Sequence, residues 1–143
     1  MVVQPQEKCV CSICTGWFKH VMEVVMAWSI ETDVQAGYLT IRILGQADAR
    51  VSEEIVGAVF HEIGAHGCPR LLIDIRGVDG RLGVLDTFNL VSSYPGIAGV
   101  RAAIVDRPEN RSWSDFYETV SVNRGYDNKV FTDIDKAIEW LTA

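Results

Sequence analysis

The sequence has no long apolar run and no excess of basic residues. No stretch reaches the roughly 18 consecutive apolar residues that suggest a membrane-spanning helix. The segment 17–28 comes nearest, and Lys19, His20 and Glu23 interrupt it. With 13 Lys and Arg against 19 Asp and Glu, the formal charge is −6, so the chain lacks the basic face with which proteins bind nucleic acid. A secretory signal pattern is also missing, and we expect a cytoplasmic protein with neither a membrane span nor a nucleic-acid partner.

Motifs of metal binding and catalysis are equally scarce. The loop 77–83 matches neither glycine-rich pattern that cradles phosphates. Cys9, Cys11 and Cys14 lie near His20, but their first spacing is tight and no second cysteine pair exists. We therefore expect reduced thiols in an appended segment rather than a zinc site. The sequence predicts no metal, no cofactor and no enzymatic activity.

What the sequence does contain is organised around residues 69–79, which read Pro-Arg-Leu-Leu-Ile-Asp-Ile-Arg-Gly-Val-Asp. A short, branched apolar run of this kind is typical of a strand buried on both faces of a parallel sheet. Asp74 and Arg76 interrupt the run near the carboxyl end of the strand. Open α/β sheets bind ligands at that edge.

The patterns on either side of this strand predict a hairpin followed by alternating helices and strands. Alternating apolar residues over 28–34 and 38–44 flank a tight turn that ends at Gly37. Ser52 is expected to cap a helix that ends at Gly67. A second helix is expected over 84–93, with Leu85, Phe88 and Val91 facing the core.

Two more strands and two more helices complete the predicted order. Strands that are separated by helices pair in parallel through right-handed crossovers. We therefore predict that residues 28–143 form one α/β domain, with a single mixed, mostly parallel sheet, an N-terminal hairpin and about four helices. Residues 1–27 differ in composition, and we expect an N-terminal extension there that is poorly ordered or forms a short helix.

Charged side chains follow the predicted strands closely. Because the carboxyl ends of parallel strands meet at one edge, we expect a ligand-binding rim formed by Asp74, Arg76, Asp79, Arg81, Asp106 and Arg107. Helix N-termini gather at the same edge and, with the arginines, could hold a phosphate or a carboxylate. The alternative is that these Asp and Arg residues form surface ion pairs that fix the loops and contribute little free energy.

Residues from about 28 to 143 resemble the SpoIIAA-like superfamily, which contains the STAS domains, and within it a set of small bacterial proteins of unsettled function. The resemblance covers about four fifths of the chain and depends on the order and spacing of several segments. These are the leading hairpin, Leu-Ile-Asp-Ile-Arg-Gly-Val, Ala-Ile-Val-Asp, Asp-Phe-Tyr-Glu-Thr-Val and the final Val-Phe-Thr-Asp-Ile-Asp-Lys-Ala-Ile-Glu-Trp-Leu.

The resemblance implies a regulatory role and also shows a departure from it. In the anti-sigma factor antagonists of this superfamily, an Asp-Ser-Ser-Gly-Leu segment after the central strand holds the serine that a partner kinase phosphorylates. The corresponding segment here, 79–87, contains no serine and places Gly83 opposite the phosphoacceptor. Thr87, several positions further on, is the nearby hydroxyl and the remaining candidate for modification.

From these observations we expect a small interaction or regulatory module of the STAS-like type, which docks a protein partner or senses a small anionic ligand. The first alternative is a carrier of a small apolar or lipid-like ligand, because lipid-transfer domains of the CRAL-TRIO type are similar in architecture. The second is an enzyme that uses the Asp-rich rim. A large apolar pocket between sheet and helices would favour the carrier, and an arginine-lined rim would favour docking or anion binding. Self-association is left open.

Overall fold

A computed structural model describes residues 28–95 and 99–143, together with the backbone of Val2–Val3. The prediction for residues 1–27 lies outside the described residues, apart from those two. The strands within the described part are β1 (Val2–Val3), β2 (Trp28–Gln35), β3 (Tyr38–Gln46), β4 (Arg70–Asp79), β5 (Arg101–Val105) and β6 (Asp127–Phe131). The helices are α1 (Ala49–His66), α2 (Val84–Ser92), α3 (Arg111–Asn123), which a 3-10 turn (Pro108–Asn110) precedes, and α4 (Ile134–Thr142).

The described strands form one sheet in the order β1-β2-β3-β4-β5-β6, so strands that are adjacent in the sheet also follow one another in the chain. The first two pairings are antiparallel, and the pairings from β3 to β6 are parallel. The β2–β3 hairpin turns at Gly37, whose φ of 91° favours glycine. The predicted mixed, mostly parallel sheet with a leading hairpin and four helices is confirmed.

The helices divide between the two faces of the sheet. Right-handed crossovers that advance in one direction place their helices on the same face, and α1, α2 and α3 pack there against alternate strand residues such as Ile41, Leu71 and Ile104. The helix α4 covers the opposite face, where Ala137 and Leu141 contact the intervening strand residues Leu72, Ala103 and Val105. Side chains two residues apart on a strand therefore share a face, and neighbours do not.

The first crossover helix begins earlier than the sequence predicted. Its N-cap is Asp48, whose Oδ1 accepts a hydrogen bond from the backbone N of Val51 at 2.8 Å. Ser52, the predicted cap, is buried within the first turns of α1. The end of the helix agrees with the prediction: Gly67 adopts the left-handed conformation with a φ of 61° and donates its N–H to the carbonyl of Ile63.

Candidate functional site

The six predicted rim residues do not form one cluster. Asp74 and Arg76 lie two and four positions after Leu72 on β4. Because side chains alternate along a strand, all three share the α4 face of the sheet. Arg81 and Asp106 pair with each other, and Arg81 lines a cavity on the face that carries α1, α2 and α3. The structure thus distributes these charges over two faces, and each group has its own role.

Arg81 and Asp106 form a buried ion pair between the loop after β4 and the loop after β5. The side chain of Arg81 is 9% exposed and that of Asp106 is 1% exposed. Arg81 Nε donates to Asp106 Oδ2 at 3.1 Å, and Arg81 Nη2 donates to Oδ1 of the same carboxylate. Asp106 also accepts hydrogen bonds from the backbone N of Arg107, from Asn110 Nδ2 and from Ser114 Oγ.

The guanidinium of Arg81 has no free donor. A guanidinium carries five N–H groups, and besides the two bonds to Asp106 those of Arg81 reach the carbonyls of Val78, Gly80 and Ile75. An anion could bind Arg81 only by displacing one of these internal acceptors. Arg81 therefore links the loop after β4 to the loop after β5.

Asp74 and Arg76 form a second, more exposed pair. Arg76 Nε and Nη2 donate to the two oxygens of Asp74 at 2.9 and 2.8 Å, and the backbone N of Arg76 donates to Asp74 Oδ1 at 3.0 Å. Arg42 on β3 lies 3.8 Å from the same carboxylate. Burial by itself would raise the pKa of Asp74, but the hydrogen bonds from Arg76 and the charges of both arginines outweigh it, so the pKa lies below its ordinary value.

The side chains of the two remaining rim residues belong to neither ion pair. The side chain of Asp79 is exposed, and its backbone carbonyl accepts a hydrogen bond from the N–H of Ala47 at 2.9 Å. Arg107 reaches back to the carbonyl of Val78 with Nη2 at 3.3 Å and also lines a separate crevice at the ends of β5 and β6.

Thr87, the candidate for modification, lies on the buried side of α2. It is fully buried, and its hydroxyl accepts a hydrogen bond from Trp113 Nε1 at 3.1 Å and contacts the carbonyl of Leu82 at 3.4 Å. A kinase cannot reach this hydroxyl in the folded chain. The hydrogen bond between Thr87 and Trp113 connects α2 to α3.

The orientation of α2 contradicts the sequence prediction. Val91 is fully buried as expected, but Leu85 is 70% exposed and Phe88 is 44% exposed, and Val84 beside them is 67% exposed. The inner face of the helix carries Thr87 and Val91 instead. We call the three side chains Val84, Leu85 and Phe88 the outer face of α2.

A cavity of about 170 Å³ lies between the sheet and the helices α1, α2 and α3. Its walls are mostly apolar, and they include Ile43, Ile55, Val59, Ile73, Leu90 and Ala102. Periodicity gave no signal for this cavity, because each of these residues occupies an ordinary core position on its own strand or helix. The space results from how the side chains fit together.

Two tyrosines give this cavity a polar patch. Tyr94 and Tyr117 both line it, and their hydroxyl oxygens lie 3.0 Å apart in a hydrogen bond. Burial raises the pKa of Tyr94 well above its ordinary value and also raises the pKa of Tyr117. Both hydroxyls therefore remain protonated at neutral pH, and this patch carries no charge.

Within the described residues, no group of three or more His, Cys, Asp and Glu side chains could hold a metal ion. Cys9, Cys11 and Cys14 lie outside the part of the chain that the structure describes. None of the helices in the described part is long and apolar enough to cross a membrane.

Solved structures with the same architecture are found in bacteria. An anti-sigma factor antagonist from Mycobacterium paratuberculosis is 18% identical, with a TM-score of 0.53 over 82% of this chain and 96% of its own. A protein of the DUF3478 family from Shewanella loihica PV-4, described as having a SpoIIAA-like fold, is 22% identical, with a TM-score of 0.52 over 80% of this chain and 94% of its own. The chain has the SpoIIAA-like fold. No family model and no curated protein matches the sequence.

The SpoIIAA-like fold places the segment after the central strand at the start of α2. Here that segment is Asp79 to Gly83, and Gly83 is the N-cap of α2 without a side-chain hydrogen bond. The outer face of α2 follows directly. The sequence resemblance directed attention to this segment, and the structure shows which side of the helix that follows it is exposed.

Proposed function

We propose that this chain is a small cytoplasmic regulatory module, and not an enzyme, that docks a partner protein through the outer face of α2. The observation that carries the proposal is the exposure of Val84, Leu85 and Phe88 on one helix of nine residues. Other large exposed apolar side chains among the described residues, Val34 and Val122, lie on other elements. Single exposed apolar residues need no explanation, but a group of them often marks an interface.

The geometry of the outer face suits a partner with an apolar groove. Residues i and i+4 are neighbours on a helix surface, so Val84 and Phe88 lie together and Leu85 lies beside them. Aromatic side chains, Phe among them, are enriched in the buried core of protein interfaces. The guanidinium of Arg124 lies 5.0 Å from the centre of the Phe88 ring and adds a positive charge at one border.

The fold supports a regulatory partner for this face. One of the similar structures is an anti-sigma factor antagonist, a protein whose name states that it opposes an anti-sigma factor. We propose a partner of that regulatory class for this chain. Because Thr87 is buried, we expect control of docking by a means other than phosphorylation of its hydroxyl.

The experiment is site-specific photo-crosslinking in the cells that make the protein. A benzophenone amino acid is placed at Leu85 and, as a control, at the exposed Glu53 on α1. We expect Leu85 to crosslink one discrete partner, which Glu53 does not. Adding Phe88→Asp to the Leu85 probe should remove that crosslink, whereas Val34→Asp, at an exposed apolar site on the hairpin, should leave it.

Three outcomes would contradict docking of a partner by this face. The two probe positions could give the same crosslinks, the Leu85 crosslink could survive Phe88→Asp, or the product could have the mass of two copies of this chain. The last would assign the outer face of α2 to self-association. Phe88→Asp should leave the chain folded and lower the free energy of unfolding by about 1 kcal/mol, mainly through the lost contact with Arg124.

A second candidate function, a carrier of a small apolar ligand, is favoured by the cavity beneath α2. An empty apolar cavity of about 150 Å³ is large enough to bind benzene, and the present one is about 170 Å³. A ligand that occupied this space would bury apolar surface and thereby stabilise the folded chain.

The same cavity specifies the chemistry of its ligand. All five donors of Arg81 are occupied, and Tyr94 and Tyr117 pair with each other, so the walls favour a neutral molecule. Native mass spectrometry of protein purified from its own cells, with a denatured sample in parallel, tests the carrier. A retained small molecule would support it, and a bare chain with no affinity for neutral aromatic probes would exclude it.

A further inference from the structure

A second opening lies where β5 and β6 end, and it shares no lining residue with the apolar cavity. The helix α3 follows β5 on one face of the sheet, and α4 follows β6 on the other face. The two connections diverge and leave a crevice of about 240 Å³. In open α/β sheets, ligands bind in crevices outside the carboxyl ends of strands where neighbouring connections separate in this way.

Cationic side chains converge on this crevice from three segments. Arg107 comes from the loop after β5, Arg111 from the first turn of α3 and Lys136 from the first turn of α4. Three cations therefore line one opening of a chain whose formal charge is −6. The hydroxyls of Ser114 and Thr132 also line the crevice.

These cations have few internal partners. Lys136 forms no side-chain ion pair with the described residues, and the pair between Arg111 Nε and Asp115 Oδ2 is long at 3.8 Å and exposed. The side chain of Arg107 makes one hydrogen bond to the described residues, of 3.3 Å through Nη2, and its buried Nε has no partner among them. In Arg81, by contrast, every donor is used.

The crevice also contains two carboxylates, Asp115 and Asp133. Asp133 is the N-cap of α4, and its Oδ1 accepts hydrogen bonds from the backbone N of Asp135 and of Lys136. This carboxylate is therefore engaged by the helix. Asp115 and Arg111 both lie on α3 with exposed side chains, 73% and 81% respectively, so water screens both charges to a similar degree. The three cations exceed the acids by one formal charge, and the positive ends of two helix dipoles add to them.

We propose that this crevice binds the phosphate group of a small soluble molecule, either as free phosphate or as a small monoester. One guanidinium group can donate two parallel hydrogen bonds to two oxygens of a phosphate, and an ammonium group adds a point charge. Arg107, Arg111 and Lys136 offer both kinds of group from three directions around one space. The site is distinct from the outer face of α2 and from the apolar cavity, and it does not depend on either.

The test is a titration of the ¹⁵N-labelled full chain with inorganic phosphate and, separately, with methyl phosphate, at constant ionic strength and pH. Amide signals of residues that line the crevice, such as Ser114 and Thr132, should shift and saturate with at least one of the two. The variant Arg111→Ala/Lys136→Ala should weaken that binding at least tenfold. Both side chains are exposed, so this variant should fold normally and retain the remaining amide spectrum.

A matched control removes two charges at the other end of the sheet. Arg70 opens β4 and Arg124 follows the end of α3, so the variant Arg70→Ala/Arg124→Ala has the same net charge as the crevice variant. Its affinity for phosphate should equal that of the unchanged chain. The proposal is overturned if neither ligand shifts the crevice amides, or if the two double variants lose affinity equally, since equal loss would mean a response to net charge alone.

Discussion

The carboxylate of Asp106 receives two hydrogen bonds from the guanidinium of Arg81 across 25 positions of sequence, and both side chains are almost completely buried. The pair joins the loop that leads into α2 to the loop that leads into α3. It therefore fixes the base of the outer face of α2 and one wall of the crevice at the same time.

Removal of one member of this pair should destabilise the domain strongly. We expect Arg81→Ala to lower the free energy of unfolding by about 3–5 kcal/mol, because it leaves the Asp106 charge buried without its partner. Urea titration followed by circular dichroism measures the change. The exposed pair Arg111–Asp115 provides the control, and Arg111→Ala should cost less than about 1 kcal/mol. If Arg81→Ala is as stable as the unchanged chain, the Arg81–Asp106 ion pair has no structural role.

The lowered pKa of Asp74 predicts a specific dependence of stability on pH. A carboxyl whose pKa is lower in the folded chain stabilises that chain above its ordinary pKa of 3.8, and the stabilisation disappears as the pH falls through the folded value. We therefore expect Asp74→Asn to be less stable than the unchanged chain at pH 7, with the difference shrinking below pH 3.8. Urea titrations at several pH values measure it.

Arg76 provides the internal control for that pH effect. Because the side-chain hydrogen bonds and the charge of Arg76 help to lower the pKa of Asp74, the Asp74→Asn difference at pH 7 should be smaller when Arg76 is already Ala. The backbone N–H of residue 76 still donates to Asp74 in that background, so part of the difference should remain. A full-sized difference in the Arg76→Ala background would show that the pair is not its cause.

Neighbouring alanines on β5 test the cavity beneath α2. Ala102 lines the cavity, and Ala103 points to the opposite face, where it is fully buried under α4. We expect Ala102→Ile to occupy part of the empty space and to keep or raise the melting temperature. Ala103→Ile should be destabilised by about 1–3 kcal/mol through overpacking. If both substitutions destabilise alike, the cavity is not free space in solution.

The hydrogen bond between Thr87 and Trp113 gives a fourth prediction. Thr87→Val keeps the shape of the side chain but leaves Trp113 Nε1 without its acceptor. We expect a loss of about 1–2 kcal/mol of stability and a shift in tryptophan fluorescence. Thr119→Val is the control, since that hydroxyl is exposed and bonds only to the Asp115 carbonyl one turn earlier. If Thr87→Val changes neither the stability nor the fluorescence, the packing of α2 depends mainly on Val91 and not on this hydrogen bond.

Much of the fold could be predicted from the sequence, because its apolar residues follow the period of the elements that contain them. The limits of the predictions were local. Asp48 and Ser52 are both good helix caps, and pattern alone could not show that Asp48 takes the role. In α2, apolar residues occur on more than one side of a short helix, and the side that faces inward carries Thr87, whose hydroxyl accepts a hydrogen bond from Trp113.

The candidate site was harder to predict than the fold. Alternation along β4 already implied that Asp74 and Arg76 share the face of Leu72, so their separation from the Arg81–Asp106 pair could have been foreseen. The pairing itself could not, since it joins loops 25 positions apart. The sequence also could not show that Lys136, Arg107 and Arg111 line one crevice, because the three residues belong to different segments of the chain.

The sequential strand order has a consequence for how the chain folds as it is synthesised. Each new strand can add to an edge that already exists, so no strand has to insert between two others. The helix that covers Leu72, Ala103 and Val105 is nevertheless the last of the described elements along the chain. Until α4 has been synthesised, these three apolar side chains lack the helix that buries them, and exposed apolar surface of this kind favours aggregation and chaperone binding.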